Sequence, residues 1–275
     1  MSADTHHSYR AVVVIPTYNE RENLPVVCRL VLGMTGASVH LLIVDDNSPD
    51  GTGRVADALA AKHPQIHVLH RERKEGLGRA YVAGFKRALE MGYERIAQMD
   101  ADLSHDPRDL PILIRQTVHA DLVIGSRYVE GGGVADWARW RYYLSRYANF
   151  YVQQLTRLPI SDATSGYRCW RREVLEAIDL DEVHSNGYAF QIEMAYRAYL
   201  HGFHIQEIPI VFTERRSGRS KLSKRVIWEA IWLPWKLRFG KHMSPNASFR
   251  LAQRQQGIAP SAVPHVGYGD REESP

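Results

Sequence analysis

The chain has 275 residues, 44% hydrophobic and 24% charged, with a formal net charge of +4 at pH 7. That length supports a full-sized core in one main domain without disulfide or metal staples. The mild positive charge suits an acidic ligand or an anionic membrane surface and is too weak to argue for nucleic acid.

The two cysteines, Cys28 and Cys169, lack the paired spacings of a zinc site or a secreted disulfide framework. They read as core thiols in a reducing, cytoplasmic setting. Residues 1–10 carry no apolar stretch of the signal-peptide kind and read as a flexible N-terminus. No later run reaches the roughly 18 apolar residues of a membrane span, so a soluble or peripheral protein is expected.

In chain order, the apolar run Ala11–Pro16 predicts a buried parallel strand, and Val39–Val44 predicts a second, ending in paired aspartates. Between them, Leu24, Val27, Leu30, Val31 and Met34 recur at helical spacing, predicting a helix over Glu20–Met34 with Asn19 as its cap. The alternation continues with a helix over Arg54–Lys62, a strand at His67–His70, a helix over Arg79–Met91 and a strand at Arg95–Met99. A helix near Leu110–Val118 and a strand at Asp121–Ser126 follow, and Gly131–Gly133 read as a flexible connection. The second half predicts a long helix over Trp137–Thr156, a polar stretch through Arg168, a helix over Tyr188–His201 and a strand at Ile205–Val211. This order defines an α/β fold with a sheet flanked by helices, whose chemistry sits at strand C-termini. Residues 11–243 form the expected catalytic domain; residues 244–275 lose periodicity and gather Pro, Gly, Ser and charge, predicting a disordered tail.

The strongest local signal is MDADLSH, where Asp100 and Asp102 leave a predicted strand and enter a turn. Two carboxylates at that spacing suit Mg²⁺ or Mn²⁺ bridging a nucleotide diphosphate. A D-x-D triplet alone reads first as turn and cap chemistry. Its context is PTYNE, from Pro16 to Glu20, and VDDNSPDGT, from Val44 to Thr52, each following a predicted strand on one sheet edge. Asp45 or Asp46 is placed to accept hydrogen bonds from a nucleobase or ribose, and Tyr18 to flank the base.

These three loops in this order resemble family 2 glycosyltransferases. GLGRAY from Gly76, GSRYVEGG from Gly125, TSGYRCWRREVL from Thr164 and RRSGRSKL from Arg215 resemble the polyprenol-phosphate (dolichol-phosphate) mannose synthases within it. The resemblance spans Ala11 to Lys241 and implies a nucleotide-diphospho-sugar transferase (GT-A) fold, with a mostly parallel mixed sheet. It implies transfer of mannose from GDP-mannose to a polyprenyl phosphate lipid, with Mg²⁺ or Mn²⁺ held by Asp100, Asp102 and the position occupied by Ser104. Pro16, Tyr18, Glu20, Asp45, Asp46 and Asp100 match nucleotide-sugar-contacting positions. Arg127, Arg141 and Ser145 match positions near the acceptor phosphate, and Arg215 and Lys221 match diphosphate-facing ones. By the same resemblance Asp102, Arg127, Arg141, Arg215 and Lys221 carry the catalysis.

A polyprenyl phosphate is already anionic near neutral pH, so its attack needs no strong protein base; positioning and charge neutralisation suffice. An essential base such as Asp162 would instead imply a sugar hydroxyl acceptor. The rival functions are a UDP-sugar transferase such as a glucosyl enzyme, a noncatalytic membrane-associated subunit, and a nucleotidyltransferase. The segment VIWEAIWLPWKLRF, from Val226 to Phe239, with Trp228, Trp232 and Trp235, predicts an interfacial helix ahead of a core-packing one. Arg139 to Tyr147 adds a second basic and aromatic stretch. A peripheral protein on the cytoplasmic face, aided by a separate integral membrane partner, is expected.

Overall fold

Continuous apolar runs dictate the centre of the sheet. Ala11–Thr17 (β1) and Val39–Asp45 (β2) carry aliphatic, largely β-branched side chains towards both faces, as a strand covered on both sides requires. The computed structural model describes residues 9–35, 38–213 and 224–239, and in it both strands are almost wholly buried. They pair in parallel, with Ala11 opposite Val39 and Thr17 opposite Asp45. The helix Leu24–Thr35 (α1) makes the crossover between them.

After β2 come the helix Thr52–Lys62 (α2), the strand Ile66–His70 (β3), the helix Leu77–Glu90 (α3) and the strand Arg95–Gln98 (β4). A 3-10 turn over Pro107–Asp109 leads into the helix Leu110–Gln116 (α4), then the strands Leu122–Ser126 (β5) and Gly133–Val134 (β6). The second half holds the helix Arg139–Thr156 (α5), the strand Arg168–Arg171 (β7), and the helices Arg172–Ala177 (α6) and Gly187–Leu200 (α7). Strands Ile205–Pro209 (β8) and Val211–Phe212 (β9) precede the helix Lys224–Phe239 (α8).

Seven strands form one sheet in the order β3-β2-β1-β4-β7-β5-β8. β7 runs antiparallel to both of its neighbours, and every other pair is parallel. A two-stranded parallel ribbon joins β6 to β9. One face of the sheet packs Val13, Ile15, Leu41 and Ile43 against Leu24, Val27 and Val31 of α1 and Leu110 and Leu113 of α4. Each such side chain contributes roughly 1.5–3 kcal/mol on burial. The other face meets α3 at Gly84, where a Cβ would lie 2.4 Å from Val14 Cγ1. Only glycine lets that helix sit so close. Phe85, Trp170 and Phe190 fill the space beside it.

The predicted elements stand with four corrections. α1 begins at Leu24, and Asn19 is no cap: it takes φ 60° in the preceding turn, while the backbone N–H groups of Val26 and Val27 donate to the Asn23 carbonyl. The Gly131–Gly133 connection ends inside β6. The polar stretch through Arg168 runs directly into β7 and α6, neither of which was predicted. The strand expected over Ile205–Val211 divides at Ile210, which lets β9 leave the main sheet for β6.

Both cysteines are core thiols, and burial pushes each up to about 12. No helix among the described residues is long and apolar enough to cross a membrane. The described residues all lie within one compact unit, Met1–Ser244. The expected tail, together with Arg215 and Lys221, lies outside the described residues.

Candidate active site

Parallel pairing fixes where the acidic loops emerge. β1, β2 and β4 are adjacent and co-directional, so PTYNE, VDDNSPD and MDADLSH leave the same sheet edge. There the Thr17 hydroxyl donates to Asp45 Oδ1 at 3.1 Å, and Ser48 donates to both Asp45 oxygens, from its hydroxyl at 2.6 Å and its backbone N–H at 3.1 Å. Gly53 completes this corner, since a Cβ would lie 2.9 Å from Asp45 Oδ2. A cavity of about 250 Å³ opens beside it, lined by Asp45, Asn47, Ser48, Asp57 and His70 among others.

Asp46 is buried, and burial raises its carboxyl above the usual range against the pull of Arg71, whose guanidinium donates to it. Arg71 also binds Glu75, at 2.6 Å. Lys74, in the same loop, lies 3.7 Å over the ring of Tyr18. The Glu20 backbone N–H donates to Thr52 Oγ1 at 2.9 Å, tying the first loop to the start of α2. The structure thus brings Tyr18, Glu20, Asp45 and Asp46 together, and adds Thr17, Ser48 and Arg71, which sequence reasoning missed.

At the end of β4, each aspartate of the D-x-D motif accepts hydrogen bonds at its Oδ1. Tyr81 Oη, from α3, donates to Asp100 Oδ1 at 3.0 Å. Ser104 donates to Asp102 Oδ1 through its hydroxyl at 2.6 Å and its backbone N–H at 3.1 Å. Tyr81 is fully buried, and burial followed by the Asp100 charge holds its phenol well above its usual pKa. Ser104 has no exposure, and its hydroxyl is turned to Asp102, so it orients that carboxylate. His105 Nδ1 accepts the Asp100 backbone N–H at 3.2 Å, and its ring stacks on Tyr167 at 4.7 Å.

The end of β5 supplies Arg127, and the loop entering β7 supplies its partner. Arg127 Nε and Nη2 donate to the two oxygens of Asp162 at 2.7 Å each, and its backbone N–H adds a third bond. Thr164 donates a fourth, so both Asp162 oxygens are doubly engaged. Burial alone would raise the Asp162 carboxyl, but the Arg127 charge and hydrogen bonds outweigh it and hold the group below the usual range. A carboxylate this enclosed and this stabilised as an anion is a poor general base.

That loop is held from two further sides. Glu207 of β8 accepts the backbone N–H groups of Ser161 and Asp162 at 2.7 and 2.9 Å. Arg168, fully buried, donates to the carbonyls of Ala163, Ser165 and Gln191 at 2.8 Å each, and burial lowers it to about 9.

Arg141 and Ser145 face this region from α5. The Arg141 guanidinium lies 4.2 Å over the ring of Trp137, which also receives Arg127 at 5.6 Å. Tyr128 Oη donates to Ser145 Oγ at 2.7 Å. The Trp137 indole nitrogen is buried with no hydrogen-bond partner among the described residues. Phe212 of β9 packs edge-on against both His105 and Trp137, and the Thr213 backbone N–H donates to the Ser104 carbonyl. The ribbon therefore bridges the metal motif and the two arginines.

Beyond this edge, α5 and α8 carry large exposed apolar side chains. Trp140 and Tyr147 are each 68% exposed, Trp232 is 62% and Phe239 is 67%. Trp235 is exposed too, whereas Leu233 and Leu237 are buried. The side chain of Trp228 lies outside the described residues.

A mixed sheet with acidic loops gathered at the C-terminal ends of its parallel strands is the architecture of GT-A glycosyltransferases. The solved glucosyl-3-phosphoglycerate synthase of Mycobacterium tuberculosis, in complex with Mn²⁺, UDP and glucosyl-3-phosphoglycerate, shares this fold. It superposes with a TM-score of 0.62 at 17% identity, covering 87% of this chain and 82% of that one. Residues 12–179 match the family described as Glycosyl transferase family 2, and the chain belongs to that family as a glycosyltransferase. It is 50% identical over 232 residues to the polyprenol monophosphomannose synthase of Mycolicibacterium smegmatis, covering 84% of this chain and 87% of that one. It is 47% identical over 225 residues to the undecaprenyl-phosphate mannosyltransferase of Micrococcus luteus, covering 81% of this chain and 91% of that one.

Proposed function

We propose that this enzyme transfers mannose from GDP-mannose to a polyprenyl monophosphate, with inversion, giving polyprenyl phosphate mannose and GDP. The named activities of its two relatives support the sugar and the acceptor class. The observation that carries the reading is the locked state of Asp162 beside Arg127. A sugar hydroxyl needs a base there, whereas a lipid phosphate, at about −1.5 to −2 charge near neutral pH, does not.

In this reading a phosphate oxygen attacks the anomeric carbon as the bond from that carbon to the GDP oxygen breaks. Arg141 and Ser145 hold the acceptor phosphate, with the buried charge of Arg127 behind them. Pro16, Tyr18, Glu20, Asp45, Asp46 and Asp100 hold the nucleotide sugar. Asp100 and Asp102 are the residues to hold Mg²⁺ or Mn²⁺: they are oxygen donors two residues apart, each pre-oriented through one oxygen. When bound, the ion neutralises charge on the departing diphosphate. Arg215 and Lys221 add to that neutralisation; Arg215 follows Thr213, which is hydrogen-bonded to the metal loop, by two residues. The exposed aromatics of α5 and α8 meet the cytoplasmic face of a membrane, where the acceptor resides, with a separate integral membrane protein as partner.

The test is transfer of radiolabelled sugar from GDP-mannose, and separately from UDP-glucose, to a short polyprenyl phosphate with Mg²⁺ or EDTA. Labelling from GDP-mannose alone, abolished by EDTA, is expected. Labelling from UDP-glucose alone reassigns the donor, and labelling from neither overturns the proposal.

A further inference from the structure

The two metal-motif aspartates are oriented by different means. Asp102 is held locally, by a residue two positions along its own loop. Asp100 is held by Tyr81, 19 residues earlier on α3, through a hydrogen bond of 3.0 Å. Tyr81 has no solvent exposure, and its ring lies parallel to Phe190 of α7 at 5.8 Å and against Phe85 at 5.8 Å. Two helices therefore fix the direction of one hydroxyl, and the hydroxyl fixes one carboxylate. The backbone of Asp100 is restrained as well, by its N–H bond to His105 Nδ1. A carboxylate held at one oxygen by a buried hydroxyl is restrained in rotation, which lowers the ordering cost of binding a cation with strict geometry.

We infer that Tyr81 is the positioning residue of the metal site: its buried hydroxyl orients Asp100 and so sets the affinity for the divalent ion. The inference rests on the proposal that Asp100 and Asp102 hold the metal. A ring without the hydroxyl can keep the packing with Phe85 and Phe190 and lose only the orientation. The structure thus separates the two roles of Tyr81 by a single atom.

The experiment measures Mn²⁺ binding directly, from the free-ion electron paramagnetic resonance signal, with GDP and in parallel with UDP. Wild type, Tyr81→Phe and Phe190→Leu are compared, and the melting temperature of each is recorded. Tyr81→Phe is expected to weaken Mn²⁺ binding by about 10-fold or more, with its transferase rate recovering at high Mn²⁺. Phe190→Leu, which disturbs the stack and spares the hydroxyl, is expected to lower the melting temperature with Mn²⁺ affinity near wild type. Mn²⁺ affinity of Tyr81→Phe within about twofold of wild type overturns the inference, whatever its melting temperature, because 10- to 100-fold is the usual effect of losing such a partner. Failure of wild type to bind Mn²⁺ with either nucleotide overturns the metal assignment and the inference together.

Discussion

The C-terminal edge of the sheet and the outer face of α5 and α8 are built on opposite principles. At the sheet edge, polar side chains are buried and tied: Asp45, Asp102 and Asp162 are nearly inaccessible and each accepts at least two hydrogen bonds. On the helical face, apolar side chains are exposed: Trp140, Tyr143, Leu144, Tyr147 and Phe150 of α5 all reach solvent. Each departs from the usual rule of apolar inside and polar outside. The first departure serves chemistry that needs fixed charges, and the second suits a soft, nonspecific surface.

The sharpest way to break the sheet edge is to remove one member of its buried ion pair. Asp162→Asn strands Arg127 and is expected to destabilise the protein by about 3–5 kcal/mol in urea unfolding. Replacing both partners, as Asp162→Leu with Arg127→Met, is expected to cost less than that single change. The same pair sets an acid limit. The folded pKa of Asp162 is depressed, so its stabilisation is complete above the unfolded value of about 3.9. It is lost as pH falls through the lower folded value, and acid titration of the melting temperature reads this out.

Next in size is the metal motif. Asp102→Asn is expected to lower transferase rate on the order of 10²–10³-fold while the melting temperature stays close to wild type. The two readouts separate chemistry from architecture.

The helical face predicts the reverse pattern. Trp140→Ser with Tyr147→Ser is expected to change stability by no more than about 0.5 kcal/mol. Binding to vesicles carrying anionic lipid falls several-fold, and transfer to a short acceptor in detergent is retained. Sedimentation with vesicles beside a detergent assay checks this.

The smallest effect concerns neither region. His40, His67 and Tyr93 form a hydrogen-bonded triangle, with Tyr93 Oη 2.7 Å from His40 Nδ1 and the two imidazoles 3.1 Å apart. Burial, then nearby positive groups, lowers the pKa of both histidines. A depressed folded pKa means stability present above about 6.5 and lost as pH falls below it. Replacing His67 with Gln is expected to flatten a shallow decline in melting temperature below that pH.

These contrasts track what the sequence discloses. β1 and β2 were legible because AVVVIPT and VHLLIVD are apolar on both faces, and the acidic loops were legible because each follows such a run. β7 was not: its four residues, RCWR, carry two arginines, and it is a strand through its pairing with β4 on one side and β5 on the other. The bonds from Arg127 to Asp162 and from Tyr81 to Asp100 span 35 and 19 residues, and no local pattern encodes them. Residue types at the site were visible, whereas the partners that orient them depend on tertiary packing. The aromatics of α5 and α8 stand out in the sequence, but only the structure separates Trp232, exposed, from Leu233, buried.

The insertion of β7 between β4 and β5 dictates an order of assembly. β1 to β4 pair within the first hundred residues and are available to nucleate early, since their contacts close short loops. β5 cannot join them until the chain has passed through α5 and returned as β7, which docks on both sides at once. A nascent chain halted before residue 168 therefore holds Asp100 and Asp102 on a partial sheet whose outer edge is unpaired, a state prone to association with other chains. Completion of that one short strand joins β5 to β4 and delivers Asp162 to Arg127 in the same step, leaving β8 to cover the outer side of β5.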